Sequence, residues 1–85
     1  ADLTGAHLAG ADLSEADLFG ATLRGANAVG ADLRRANLAL ANLRGARLKG
    51  ACLRDANLNG ADLTDAELED ADLTGATFGE TGAPE

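Results

Sequence analysis

Alanine stands at position 1 and at every fifth residue through Ala76, sixteen times without interruption. Two residues after each alanine comes leucine, with Ala28 the one substitution and Phe78 closing the series. This period of five decides what the chain can be. In an α-helix a step of five residues advances about 140° beyond a full turn, so the leucines would spiral round every side and make no stripe. Glycine is common at the fifth position, and inside a helix it would cost roughly 1 kcal/mol each time relative to alanine. A straight strand fails as well: side chains alternate with period two, so an odd repeat sends successive leucines to opposite faces.

The conflict disappears if the backbone turns a corner in every pentad. Alanine and leucine, two apart, then both point inward, and the last two residues face out. The residue between them also faces out, and is usually Asp or Asn, as at Asp2, Asp12, Asn37 and Asn57. Asp, Asn and Gly suit corners because they tolerate turn conformations and satisfy backbone groups locally. The expected core is therefore a narrow stack of Leu3, Leu8, Leu13, Leu18, Leu23, Leu33, Leu38, Leu43, Leu48, Leu53, Leu58, Leu63, Leu68, Leu73 and Phe78. Ala28 should leave the second coil underfilled on one side.

Longer periods give the number of sides. Glu15, Arg35 and Asp55 lie twenty apart at one repeat position, and coils stacked roughly 4.8 Å apart would align them as an acid–base–acid ladder. Twenty residues is four pentads, which implies a four-sided coil. The residue after leucine supports an even-sided shape. Thr4, Ser14, Arg24, Arg34, Arg44, Arg54, Thr64 and Thr74 recur every ten residues and are all polar, whereas Ala9, Phe19, Val29 and Ala39 fall between them.

The string A-(D/N)-L-X-X, as in Ala11-Asp12-Leu13-Ser14-Glu15 or Ala41-Asn42-Leu43-Arg44-Gly45, resembles the pentapeptide-repeat proteins. The resemblance spans residues 1–80. It implies an all-β fold, a right-handed quadrilateral parallel β-helix of four coils, 1–20, 21–40, 41–60 and 61–80. A tail, 81–85, follows, in which Pro84 cannot supply a ladder N–H and could give partial cover to the last coil.

The net charge of −7 argues against nucleic-acid or anionic-membrane binding. Residues 1–20 carry four acids and no Lys or Arg, residues 61–85 carry eight and none, and all seven Lys and Arg lie between 21 and 60. The rod should be acidic at both ends with a basic waist. Cys52 is the single cysteine, which leaves no internal disulfide and no multi-cysteine metal site. No apolar run matches a membrane span and no signal-peptide pattern opens the chain, so a cytoplasmic setting is expected. The absence of an initiator Met points to an excised or processed chain.

Two surfaces are candidates for recognition. Arg24 and Arg44, and likewise Arg34 and Arg54, should stack as like-charge pairs, giving either a docking surface for an acidic partner or a solvated face balanced by Asp32 and Asp55. Phe19, Ala39 and Leu40 should lie together, pointing outward, as either a contact patch or scattered surface apolar groups. Val29 and Ala9 would form a weaker patch opposite. His7 and Cys52 fall two coils apart, too far for a dyad or a metal pair. Glu67, Glu69 and Asp70 form a solvated acidic face or a weak cation site. No catalytic, metal or cofactor-binding residue is expected, because a coil filled with leucine and alanine has no concave pocket around a reacting group.

The expected role is a non-catalytic structural or protein-interaction solenoid, its partner unspecified, within a longer protein. Its uncapped ends would invite end-to-end self-association. The alternative that the resemblance implies is a DNA-mimicking inhibitor of DNA gyrase. Members of that kind look like longer rods with phenylalanine centres and a dimerising C-terminal element, whereas this chain has leucine centres and a basic waist.

Overall fold

The computed structural model describes residues 2–79; the tail, with Pro84 and the expected C-terminal cover, lies outside the described residues. Each pentad through residues 71–75 closes on itself. The Ala6 N–H donates to the Leu3 carbonyl at 2.9 Å, and the same alanine-to-leucine bond recurs through Ala76 and Leu73 at 3.0 Å. The fifth residue of every described pentad from Gly5 to Gly75 has a positive φ, which is the third position of a type II turn.

Coils are joined at a constant interval. Parallel bridges connect each residue before a leucine to its counterpart twenty residues on, from Asp2–Thr22 to Asn57–Thr77. The leucine N–H donates to the carbonyl nineteen residues on, as in Leu3 to Thr22 at 2.7 Å. The residue before it donates to the alanine carbonyl twenty-one residues back, as in Asn27 to Ala6 at 2.9 Å. The chain is thus a right-handed quadrilateral β-helix with four pentads per coil. Each side is a single bridge, because a corner every five residues leaves only the alanine–X–leucine segment extended.

The interior is dry in the middle and open towards both ends. Leu38, Leu43, Leu48, Leu53 and Leu58 are at most 1% exposed, and the alanines between them are equally covered. Removing each such leucine from water stabilises by about 2 kcal/mol. Leu3, Leu8, Leu13, Leu63, Leu68, Leu73 and Phe78 pack against this cluster but are only partly buried. The reason is one-dimensional architecture: a coil is covered only by its neighbours, and an end coil has one. Ala28 is also buried, in the column between Leu8 and Leu48.

Candidate interaction surface

The four sides present side chains in columns twenty residues apart, and local bonds fix how each column stands. At the Asp/Asn position the side-chain Oδ1 accepts the backbone N–H two residues on: Asp62 from Thr64 at 3.0 Å, Asn57 from Asn59 at 3.0 Å, Asn37 from Ala39 at 3.1 Å. This Asx turn leads the chain into the corner. Where Thr or Ser follows leucine, its hydroxyl donates to the same oxygen, as from Thr74 to Asp72 at 2.6 Å. Hydroxyl bonds, and then the backbone bonds, hold the carboxyls of Asp2, Asp12, Asp62 and Asp72 below their ordinary range. At Asp32 the Arg34 guanidinium does the same.

The basic waist is largely neutralised by its neighbours. Arg34 grips Asp32 of its own pentad through Nε and Nη2, at 2.9 and 2.7 Å. Three other arginines reach acids of the last coil: Arg44 to Asp62 at 3.5 Å, Arg47 to Glu67 at 3.8 Å and Arg54 to Asp72 at 3.9 Å. The expected acid–base–acid ladder forms only in its first half, since Arg35 meets Glu15 at 3.7 Å and makes no ion pair with Asp55 among the described residues. Asp55 therefore balances none of the arginines; its side chain leans instead over Gly75. Among the described residues Arg24 has no ion-pair partner within 4.0 Å and stays fully available. A shallow groove of about 330 Å³ follows the corner of Glu15, Arg35 and Asp55, lined by these and by Ser14, Arg34 and Arg54. Its three cations already face Asp32, Glu15 and Asp72, so little net field remains for an anion.

Among the described residues, the side carrying Asp17, Phe19, Asn37, Ala39, Asn57, Asn59, Thr77 and Gly79 has one acid and no cation. Phe19 and Leu40, on and beside it, are the large exposed hydrophobics, at 59% and 61%. Ala39 departs from expectation: it is buried, at 9%. A methyl group in a column between Phe19 and Asn59, and next to Leu40, has little outline left to expose. The apolar contribution of this side is thus Phe19 and Leu40 alone. Leu40 is also the one apolar residue among six non-glycine corners with positive φ; the others, Glu15, Arg35, Asp55, Asp65 and Asp70, are all charged. That signal was present in the sequence, as a leucine where glycine or a charged residue otherwise stands. Val29, opposite, is half-buried and Ala9 exposed.

His7 and Cys52 lie on neighbouring sides, His7 bridged to Asn27 and Cys52 between Asp32 and Asp72. Among the described residues no three His, Cys, Asp or Glu side chains gather in a metal-binding group, and no helix is long and apolar enough to cross a membrane.

Comparison with known proteins agrees with this geometry. The family model described as pentapeptide repeats matches in eight copies over residues 1–39, 16–55 and 41–79. The chain belongs to the pentapeptide-repeat family. Among solved structures, this pentapeptide-repeat chain is similar to Rfr23 from the cyanobacterium Cyanothece 51142, with 38% identity and a TM-score of 0.88 over 91% of this chain and 53% of that one. It is also similar to alr5209 from Nostoc PCC 7120, with 33% identity and a TM-score of 0.56 over 96% of this chain and 77% of that one. The trypsin-treated R167E form of QnrB1, a plasmid-mediated fluoroquinolone resistance protein, aligns at 27% identity and a TM-score of 0.51, over 88% of this chain and 47% of that one. The chain spans about half the length of Rfr23. Curated protein sequences give no match.

Proposed function

We propose that this chain is a non-catalytic solenoid module that presents the side bearing Phe19 and Leu40 to a protein partner. One observation carries the reading. Leu40 holds a left-handed backbone conformation, φ 58°, while 61% exposed. A bulky apolar residue there costs conformational energy and gains little burial, and backbone strain of this kind concentrates where a surface is used. Among the described residues this side has no cation and a single acid, which lowers the desolvation cost of covering it. Arg24, without an ion partner among the described residues, would meet an acidic group at the margin.

The test is capture of partners by immobilised wild-type protein and by a Phe19→Asp, Leu40→Asp variant with an unchanged circular dichroism spectrum. A partner held by the wild type and lost by the variant supports the reading. An identical set of captured proteins removes it.

Membership of the pentapeptide-repeat family keeps a second reading in view, inhibition of DNA gyrase by imitation of duplex DNA. The acid columns give it some support, but Arg24, Arg34, Arg44 and Arg54 stand where such a mimic needs negative charge. Four coils at about 4.8 Å reach only about 20 Å along the axis. A supercoiling assay separates the readings: inhibition unaffected by the Phe19→Asp, Leu40→Asp change would favour the mimic.

A further inference from the structure

Three of the four arginines that follow a leucine find an acid by one of two routes, and Arg24 is denied both. Arg44 and Arg54 reach the acid eighteen residues on, Asp62 at 3.5 Å and Asp72 at 3.9 Å. Arg34 has Cys52 at that interval and turns back to Asp32 of its own pentad, at 2.7 Å. Arg24 has Asn42 eighteen residues on and Thr22 in its own pentad, so neither route offers a carboxylate. Asn42 keeps the local bond of its position, its Oδ1 accepting the Arg44 N–H at 3.1 Å. Asp2, in the same column, is engaged by the Thr4 N–H and hydroxyl at 3.0 and 2.7 Å. Two neutral side chains, standing where acids stand elsewhere, thus leave an exposed guanidinium unpaired among the described residues.

This guanidinium adjoins the exposed apolar pair. The chain runs from Phe19 round the corner at Gly20 to Thr22 and Arg24, and in the next coil from Leu40 to Asn42 and Arg44. Two parallel rows result, each with a large apolar residue at the corner, a neutral side chain next and a guanidinium last. Five residues of chain reach at most about 17 Å, which bounds the distance from Phe19 to Arg24 and from Leu40 to Arg44. Arg44 belongs to this surface because its pair with Asp62 is exposed on both sides, and such pairs hold weakly.

We infer that the surface of Phe19 and Leu40 continues onto Arg24 and Arg44, and that its partner is an acidic protein segment with apolar anchors and carboxylates about five extended residues apart. The inference rests on the lateral surface proposed above and adds the charge and spacing of what binds there. Apolar residues alone accept any apolar segment, whereas the guanidinium row selects among them by charge. A carboxylate brought to Arg24 displaces no ion pair; one brought to Arg34 must break two bonds to Asp32. The net charge of −7 opposes the approach of an acidic segment, but that repulsion is screened beyond about 10 Å at 0.1 M salt.

Fluorescence anisotropy with two labelled peptides tests it on the 85-residue chain. Both carry two leucines and a spacer of about five residues; one ends in glutamates and the other in lysines. The acidic peptide should bind about tenfold tighter at about 0.1 M salt, and the difference should fade towards about 1 M. Asn42→Asp supplies the missing acid at the interval that Arg44 and Arg54 use, and Asp62 shows that this column takes aspartate. It should weaken the acidic peptide about threefold and leave the lysine peptide no weaker. Arg24→Glu should reverse the preference. Phe19→Asn, Leu40→Asn removes the anchors without adding charge and should loosen both peptides alike. Equal affinity for the two peptides, or a preference unmoved by Asn42→Asp and Arg24→Glu, overturns the inference. If Phe19→Asn, Leu40→Asn still abolishes binding in that case, the lateral surface itself stands. Binding indifferent to Phe19→Asn, Leu40→Asn removes both readings, and no binding of either peptide removes this one alone.

Discussion

The Leu40 side chain lies over Gly60: its Cδ2 stands 2.7 Å from the point a Cβ on Gly60 would occupy. Asp55 lies over Gly75 in the same way. Leu40 and Asp55 thus lean along the axis onto the glycine one coil on, whereas Glu15 and Arg35 are followed there by Arg35 and Asp55. Gly50 also has a positive φ, but nothing stands near its missing Cβ. Gly50→Ala should therefore cost about 1–2 kcal/mol, the left-handed penalty alone. Gly60→Ala should cost more, because Leu40 must also move. In a Leu40→Gly background the two costs should converge, and urea denaturation of the four variants measures whether they do.

The column Leu8–Ala28–Leu48 is narrower at its middle member. Ala28→Leu restores the pattern of the other columns and should stabilise by about 2 kcal/mol, the lower end of a reversed leucine-to-alanine cost. A rise in the thermal midpoint is the expected readout. A fall would mean that the coil has closed around the alanine, leaving no room for the larger side chain.

Central and terminal leucines should differ in what they are worth. Leu38 is 0% exposed, whereas Leu8 is only partly buried. Leu38→Ala is expected to cost about 3–4 kcal/mol and Leu8→Ala roughly half as much. Equal losses in chemical denaturation would show that the end coil is covered in solution after all.

Acid should weaken the coil through the Asx carboxyls. Asp2, Asp12, Asp32, Asp62 and Asp72 are held below their ordinary range in the folded chain. A lowered folded value means the native state binds fewer protons than the unfolded one. The contribution is then complete above the unfolded value near 3.9 and is lost as pH falls through the folded value. The thermal midpoint should be flat, as far as these groups are concerned, above about pH 5 and drop below about pH 4. Asparagine accepts the same backbone bond, as at Asn57, so Asp62→Asn, Asp72→Asn should show a shallower acid limb. An acid limb of unchanged steepness would exclude these carboxyls as its source.

Much of the fold was legible because each pentad repeats one local decision. The Ala–X–Leu spacing fixed which side chains turn inward, and the interval between Glu15, Arg35 and Asp55 gave the number of sides. Lateral detail was less legible. Arg34 could reach its own Asp32 or an acid in a neighbouring coil, and Arg35 had acids twenty residues away in both directions; which pair forms depends on side-chain reach that spacing does not encode. Its repeat position puts Ala39 on the outward patch, yet its exposure is set by the size of Phe19, Asn59 and Leu40. Leu40 was visible as an exception in the pattern, whereas its lean over Gly60 required the coordinates.

Because each described pentad closes its own turn by the same bond, the stack behaves as a single-start screw thread with four equivalent sides per revolution. Removing one whole pentad would leave the interior filled but advance everything downstream by a quarter revolution, carrying Asp62 away from Arg44 and Asp72 away from Arg54. Removing four pentads would restore the alignment. Length changes in units of twenty residues therefore preserve the pattern of neighbours along each side, and shorter ones rotate it.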